Sequence, residues 1–154
     1  MSKGSEILTA LKSRLESIKT SNGYGRTIKK VRLSRSGMDL DIPTQDCPLI
    51  EIYQESATVE SGASAHLLVT YTILLLLIDK KDQTDEAMED FQAEVRAAIY
   101  GDSPSALGNS GITLGGKAVK CQWLGTDYDL NLIEANRRCV MTWTITSNQS
   151  TYKV

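Results

Sequence analysis

The chain has 154 residues, enough for one domain (1–154) whose core needs no disulfide or metal staple. Hydrophobic residues make up 41% and charged residues 23%, an ordinary globular balance. A net charge of −2 removes any global argument for nucleic-acid binding.

The opening residues Met1-Ser-Lys-Gly-Ser-Glu6 contain no apolar signal core, so nothing points to export. A helix is predicted from about Ser5 to Thr20, with Ile7, Leu8, Leu11, Leu15 and Ile18 on one stripe. Ser5 or Ser2 can cap its start, and Asn22-Gly23 can end it by tolerating positive φ. Ile28–Leu33 follows as a weak edge strand whose lysines discourage unwanted pairing. Asp39–Pro48 holds two prolines and reads as a loop.

Leu49–Gln54 is a short strand, and the polar stretch 55–65 is expected to link it as a protruding connection to a longer one. That longer strand, His66–Ile78, is the chain's most informative segment. Its odd positions Leu67, Val69, Tyr71, Ile73, Leu75 and Leu77 are all apolar. Its even positions are mixed at first and then become apolar at Leu74, Leu76 and Ile78. A strand in a two-layer monomer needs one apolar face, so the extra half-face calls for a cover, either more of this chain or another chain. The run is also shorter than the roughly 20 residues of a membrane helix.

A second helix is predicted over about Thr84–Tyr100, burying Met88, Phe91, Val95, Ala98 and Ile99. Asp85, Glu86, Glu89 and Asp90 crowd its first turns, where the helix dipole favours them. The glycine-rich stretch 102–116 is expected to be a flexible loop. Lys117–Leu124 and Arg138–Ser147 close the chain as strands; in the second, Cys139, Met141, Trp143 and Ile145 alternate with Val140 and threonines. Gly125–Arg137 reads as a linker, and 148–154 as a loose tail. The whole is an α+β domain: a mostly antiparallel sheet with two helices on one face.

No motif assembles an active site. Gly111–Lys117 fits GxxxxGK, but Ala118 stands where a Ser or Thr would bind magnesium, and a strand follows instead of a helix. His66 is the sole histidine. Cys47, Cys121 and Cys139 lack the paired spacing of zinc sites and read as reduced, buried thiols of a protein made in the cytoplasm. The carboxylates Asp39, Asp41 and Asp46, and Asp127, Asp129 and Glu134, do not match a calcium loop. Asn148-Gln149-Ser150 fits a glycosylation acceptor, a chance match without a secretory signal. The expectation is no catalytic residue, no cofactor and no bound metal. One basic cluster, Arg26–Arg35, carries Lys29, Lys30, Arg32 and Arg35; it suits a charged edge or an acidic partner, and Glu86, Glu89 and Asp90 on a neighbouring subunit are a candidate complement. Candidate interface residues are therefore these seven charged positions together with Leu74, Leu76 and Ile78.

Four segments in order carry a resemblance over about residues 5–147: Ile7–Leu15, Pro48–Tyr53, the long strand ending Leu77-Ile78-Asp79, and the acidic helix ending Ala97–Gly101. In this order the chain resembles the tail terminator (tail completion, minor tail) proteins of long-tailed bacteriophages. The resemblance implies a hexameric ring that caps the tail tube, ends its polymerisation and offers a docking face to the head-completion or neck protein. DNA would pass through the ring without sequence-specific binding, no membrane would be involved, and the ring would sit at the tail–neck junction of the virion after assembly in the host cytoplasm. Loops 55–65 and 102–116 would then lie at the rim or lumen. Alternatives are another phage neck or tail-tube component, a ligand- or peptide-binding module, or an enzyme.

Overall fold

A fifteen-residue strand, His66–Lys80 (β3), is the spine of a five-stranded sheet. The structure, a computed structural model, describes residues 2–33, 44–61, 66–101, 118–128 and 136–150. The other strands are Lys30–Leu33 (β1), Leu49–Ser61 (β2), Lys120–Tyr128 (β4) and Asn136–Ser150 (β5), in spatial order β1-β2-β3-β5-β4. Pairing is antiparallel throughout except between β1 and β2, which run parallel. The helices are Lys3–Glu16 (α1) and Asp85–Tyr100 (α2). This is the expected α+β domain.

Ser2, not Ser5, caps α1: its side chain accepts the Ser5 backbone N–H at 3.2 Å. The helix ends at Glu16, earlier than the apolar stripe suggests. Ile18 still reaches the core, fully buried, and its carbonyl accepts the Ile28 N–H at 2.9 Å, tying the chain to the sheet beyond the helix. Asn22-Gly23 ends a separate 3-10 turn, Thr20–Asn22, with Gly23 at φ 93°. Gly4 allows close approach: a Cβ there would lie 3.1 Å from the Tyr71 hydroxyl. Thr84 caps α2 by accepting the Ala87 N–H at 3.1 Å, and Arg14 donates to the Ile99 carbonyl at 2.9 Å, satisfying an acceptor at the other end.

Three boundaries differ from expectation for one reason. Glu55–Ser61 is strand, not connection; Asn148–Ser150 is strand, not tail; and Gly125–Tyr128 continues β4. In each case a polar stretch is held by backbone pairing to a longer neighbour, as with Ser56–Ser61 against Leu67–Thr72 and Asn148–Ser150 against His66–Leu68. Residues 1, 34–43, 62–65, 102–117, 129–135 and 151–154 lie outside the described residues.

Both helices cover one face. Ile50, Leu77 and Cys139 share a row across the sheet, then Ile52, Leu75 and Met141, then Ile73 with Trp143. These pack with Ile7, Leu11 and Leu15 of α1 and Phe91, Val95 and Ile99 of α2 in the main core. Burying each such side chain stabilises by about 1.5–3 kcal/mol. The other face carries a second, smaller core of Cys47, Leu49, Leu76 and Ile78, edged by Leu74 and Val140.

Candidate interaction surface

The face away from the helices changes character along its length. At the β2 entry end it is closed: Leu76 is 3% exposed and Ile78 is fully buried. Further along β3 it opens. Leu74 pairs with Tyr53 and Thr142, and all three are half-buried. Beyond them come rows of small polar residues: Ser56, Thr72 and Thr144, then Thr58, Thr70 and Thr146. The Thr70 and Thr146 hydroxyls lie 3.1 Å apart. Threonines suit a pleated, half-exposed surface. The extra apolar half-face of β3 is thus covered at Leu76 and Ile78 by this chain's own smaller core. These two side chains are not available to another subunit, which corrects their assignment to an interface; Leu74 remains partly accessible.

The basic cluster also separates. Arg26 is drawn inward and sits on α2. Its Nε donates to Glu94 Oε1 at 2.9 Å, Nη1 to Asp79 Oδ2 at 3.1 Å and Nη2 to the Ala87 carbonyl at 2.9 Å. Its guanidinium lies 4.5 Å from the centre of the Phe91 ring. Arginine's planar fork suits such a set of fixed acceptors. Arg32 pairs with Glu51, its Nε donating to Oε1 at 2.5 Å, across the parallel β1–β2 register. Arg32 is therefore tied within the chain rather than offered to a partner. Lys29 and Lys30 are exposed at the edge, and Arg35 lies outside the described residues.

On α2, Glu86 and Asp90 face solvent. Glu89 is exposed too, but its carboxylate accepts the Tyr128 hydroxyl, and that bond raises the Tyr128 pKa. The acidic helix and the basic segment do meet, through Arg26 and Glu94, but inside one chain. Burial lifts the Glu94 pKa despite the opposing pull of Arg26.

Sequence reasoning missed Arg26 and Glu51 as organising residues. Glu51 carried a readable signal, a carboxylate inside an apolar strand next to a basic edge strand. Arg26 carried none, because nothing local distinguishes a guanidinium drawn inward onto a helix from its solvated neighbours.

The three thiols are buried and none forms a disulfide. Burial pushes Cys121 and Cys139 up to about 12 and also raises Cys47, where Asp79 and Asp46 add to the effect. Such thiols are small core residues rather than nucleophiles. His66 is exposed at the start of β3. Among the described residues no three His, Cys, Asp or Glu gather into a metal set. Gly111–Lys117, Asp39, Asp41, Asp129 and Glu134 lie outside them. Among the described residues no helix is long and apolar enough to cross a membrane.

Two sheet edges are exposed. β4 closes one side of the sheet, with Leu124 56% and Val119 53% exposed beside or within it. On the other side β1 pairs with β2 only from Leu49 to Ile52. No protein-family model matches the chain, and no curated protein matches it.

Proposed function

We propose that this chain is a structural protein of a bacteriophage tail that assembles into a ring, six-membered by its resemblance to tail terminators, and caps the tail tube. The observation that carries the reading is the asymmetry of the sheet. One face is closed by both helices, while the other is closed only at one end and presents a broad polar β-surface. A monomer gains little from such a surface, whereas a ring subunit uses it to meet a neighbour, a lumen or the tube beneath.

The element order supports the same reading: opening helix, edge strand, long hairpin, acidic helix and two closing strands follow the order on which the resemblance rests. The cap works by asymmetric binding. One face of the ring matches the last ring of the tube protein; the opposite face cannot template another and receives the head-completion or neck protein. DNA passes through the hole, so the lumen requires no base-reading side chains. The site of action is the tail–neck junction, and the role is structural rather than enzymatic.

Light scattering across a wide concentration range, with electron microscopy of the largest species, tests this. The expected result is a closed six-membered ring with an open centre. Rings that stack without limit would favour a tube component, and a stable monomer at every concentration would overturn the ring reading.

A further inference from the structure

The pairing register runs straight across the sheet. Ser56 aligns through Thr72 and Thr144 with Gln122, Ala57 through Tyr71 and Ile145 with Cys121, and Thr58 through Thr70 and Thr146 with Lys120. Among the described residues no strand pairs with the outer edge of β2 beyond Ile52, and none with the outer edge of β4. Among the described residues the same three rows therefore end in an unpaired edge on both sides. Gln54 through Glu60 are all exposed, Val59 at 57%. The Val119 N–H reaches the Thr146 carbonyl at 2.7 Å, which sets this exposed valine next to Lys120, on the side where the continued register reaches Val59. Open edges of this length are a liability in a monomer unless something pairs with them.

We infer that the open edge of β2, about Ser56 to Glu60, pairs with the β4 edge of a second copy, about Val119 to Gln122, so that the sheet continues from subunit to subunit. The inference deepens the ring reading and rests on it for the existence of an assembly. Strand direction favours it. Three antiparallel steps separate β2 from β4, so the two edges run in opposite directions within one chain. A second copy related by a rotation that preserves strand direction brings them together antiparallel, the more stable ladder.

Chemistry favours it as well. In the shared register Lys120 faces Thr58 and lies diagonal to Glu60, an attractive cross-strand pair. Val59 and Val119, each more than half exposed, come opposite one another. The ladder also has natural ends. β1 occupies the outer edge of β2 from Leu49 to Ile52, and the bulge between Trp123 and Gly125 interrupts β4 near that level. Because two different edges meet, the contact is heterologous: each copy keeps one donor and one acceptor edge, and the chain of copies closes into a ring or extends as a filament.

The test is a cysteine pair across the junction. Ser56→Cys and Gln122→Cys are made singly and together; the native thiols are buried. Under mild oxidation an equal mixture of the single variants should give a dimer bridged 56 to 122, and the double variant a ladder ending at the ring. Independently, Lys120→Glu should weaken association about 2- to 5-fold, and adding Glu60→Lys should restore it. Ring-sized particles with no 56–122 bridge and no response to Lys120→Glu would overturn the edge pairing and leave the ring reading standing. Bridged open filaments would uphold the edge pairing and overturn the ring. Monomers at every concentration would overturn both.

Discussion

Leu76→Ala tests whether the second core belongs to the single chain. Leu76 is 3% exposed and packs with Cys47, Leu49 and Ile78. Truncation removes three carbons, worth about 2.4 kcal/mol of transfer free energy at about 0.8 kcal/mol each. Incomplete collapse of the site adds a cavity cost, so the expected loss is about 3 kcal/mol, within the usual range for buried leucine. That is a large share of the roughly 5–15 kcal/mol that holds a domain together. Leu74→Ala, at a half-buried position on the same face, should cost about half as much. The assay is urea unfolding followed by circular dichroism, at two protein concentrations a decade apart. If the chain covers Leu76 by itself, the loss is the same at both. A loss below about 1 kcal/mol in the monomer, or one that appears only where the chain associates, would refute the argument and return Leu76 to a subunit interface.

Other outcomes follow from the same geometry. Arg26→Ala strands Asp79 and Glu94 without their shared cation and should cost about 3–5 kcal/mol in urea unfolding; Arg26→Lys should recover only part, because an ammonium cannot reproduce the fork. Glu94 keeps its proton in the folded chain to a higher pH than its ordinary 4.5, so its contribution to stability falls as pH rises through the window above 4.5. Glu94→Gln should flatten that part of the stability profile relative to the parent, and an unchanged slope would contradict the burial argument. At pH 8 a thiol reagent should leave the folded protein unmodified and react with all three cysteines after denaturation.

Side chains wrote the helices and central strands into the sequence, whereas backbone pairing wrote the rest. α2 and β3 were legible because their apolar periods are long and regular. The far half of β2 was not: Glu55, Ser56, Thr58 and Glu60 show no buried face, and only the length of β3 opposite makes them strand. The same holds for Asn148–Ser150. The interface residues divided for an electrostatic reason. A run of basic residues looks uniform in sequence, yet Arg26 and Arg32 find carboxylates within the fold, and Lys29 and Lys30 stay at the surface. The apolar half-face of β3 correctly signalled a cover, but periodicity could not say that the residues around Cys47 supply it.

The position of β3 has a consequence for how the protein opens. It is paired on both sides, with β2 from His66's neighbour Leu67 to Ile78 and with β5 along its whole length. Its amides should therefore exchange with deuterated solvent only through global unfolding, and those of β5 nearly so. The outward-facing amides of β2 beyond Ile52 and of β4 should exchange orders of magnitude sooner. Under the proposed edge pairing, recognition at those rims would draw on the least protected hydrogen-bonding groups of the molecule, and copies would join and part while the centre of each remains folded.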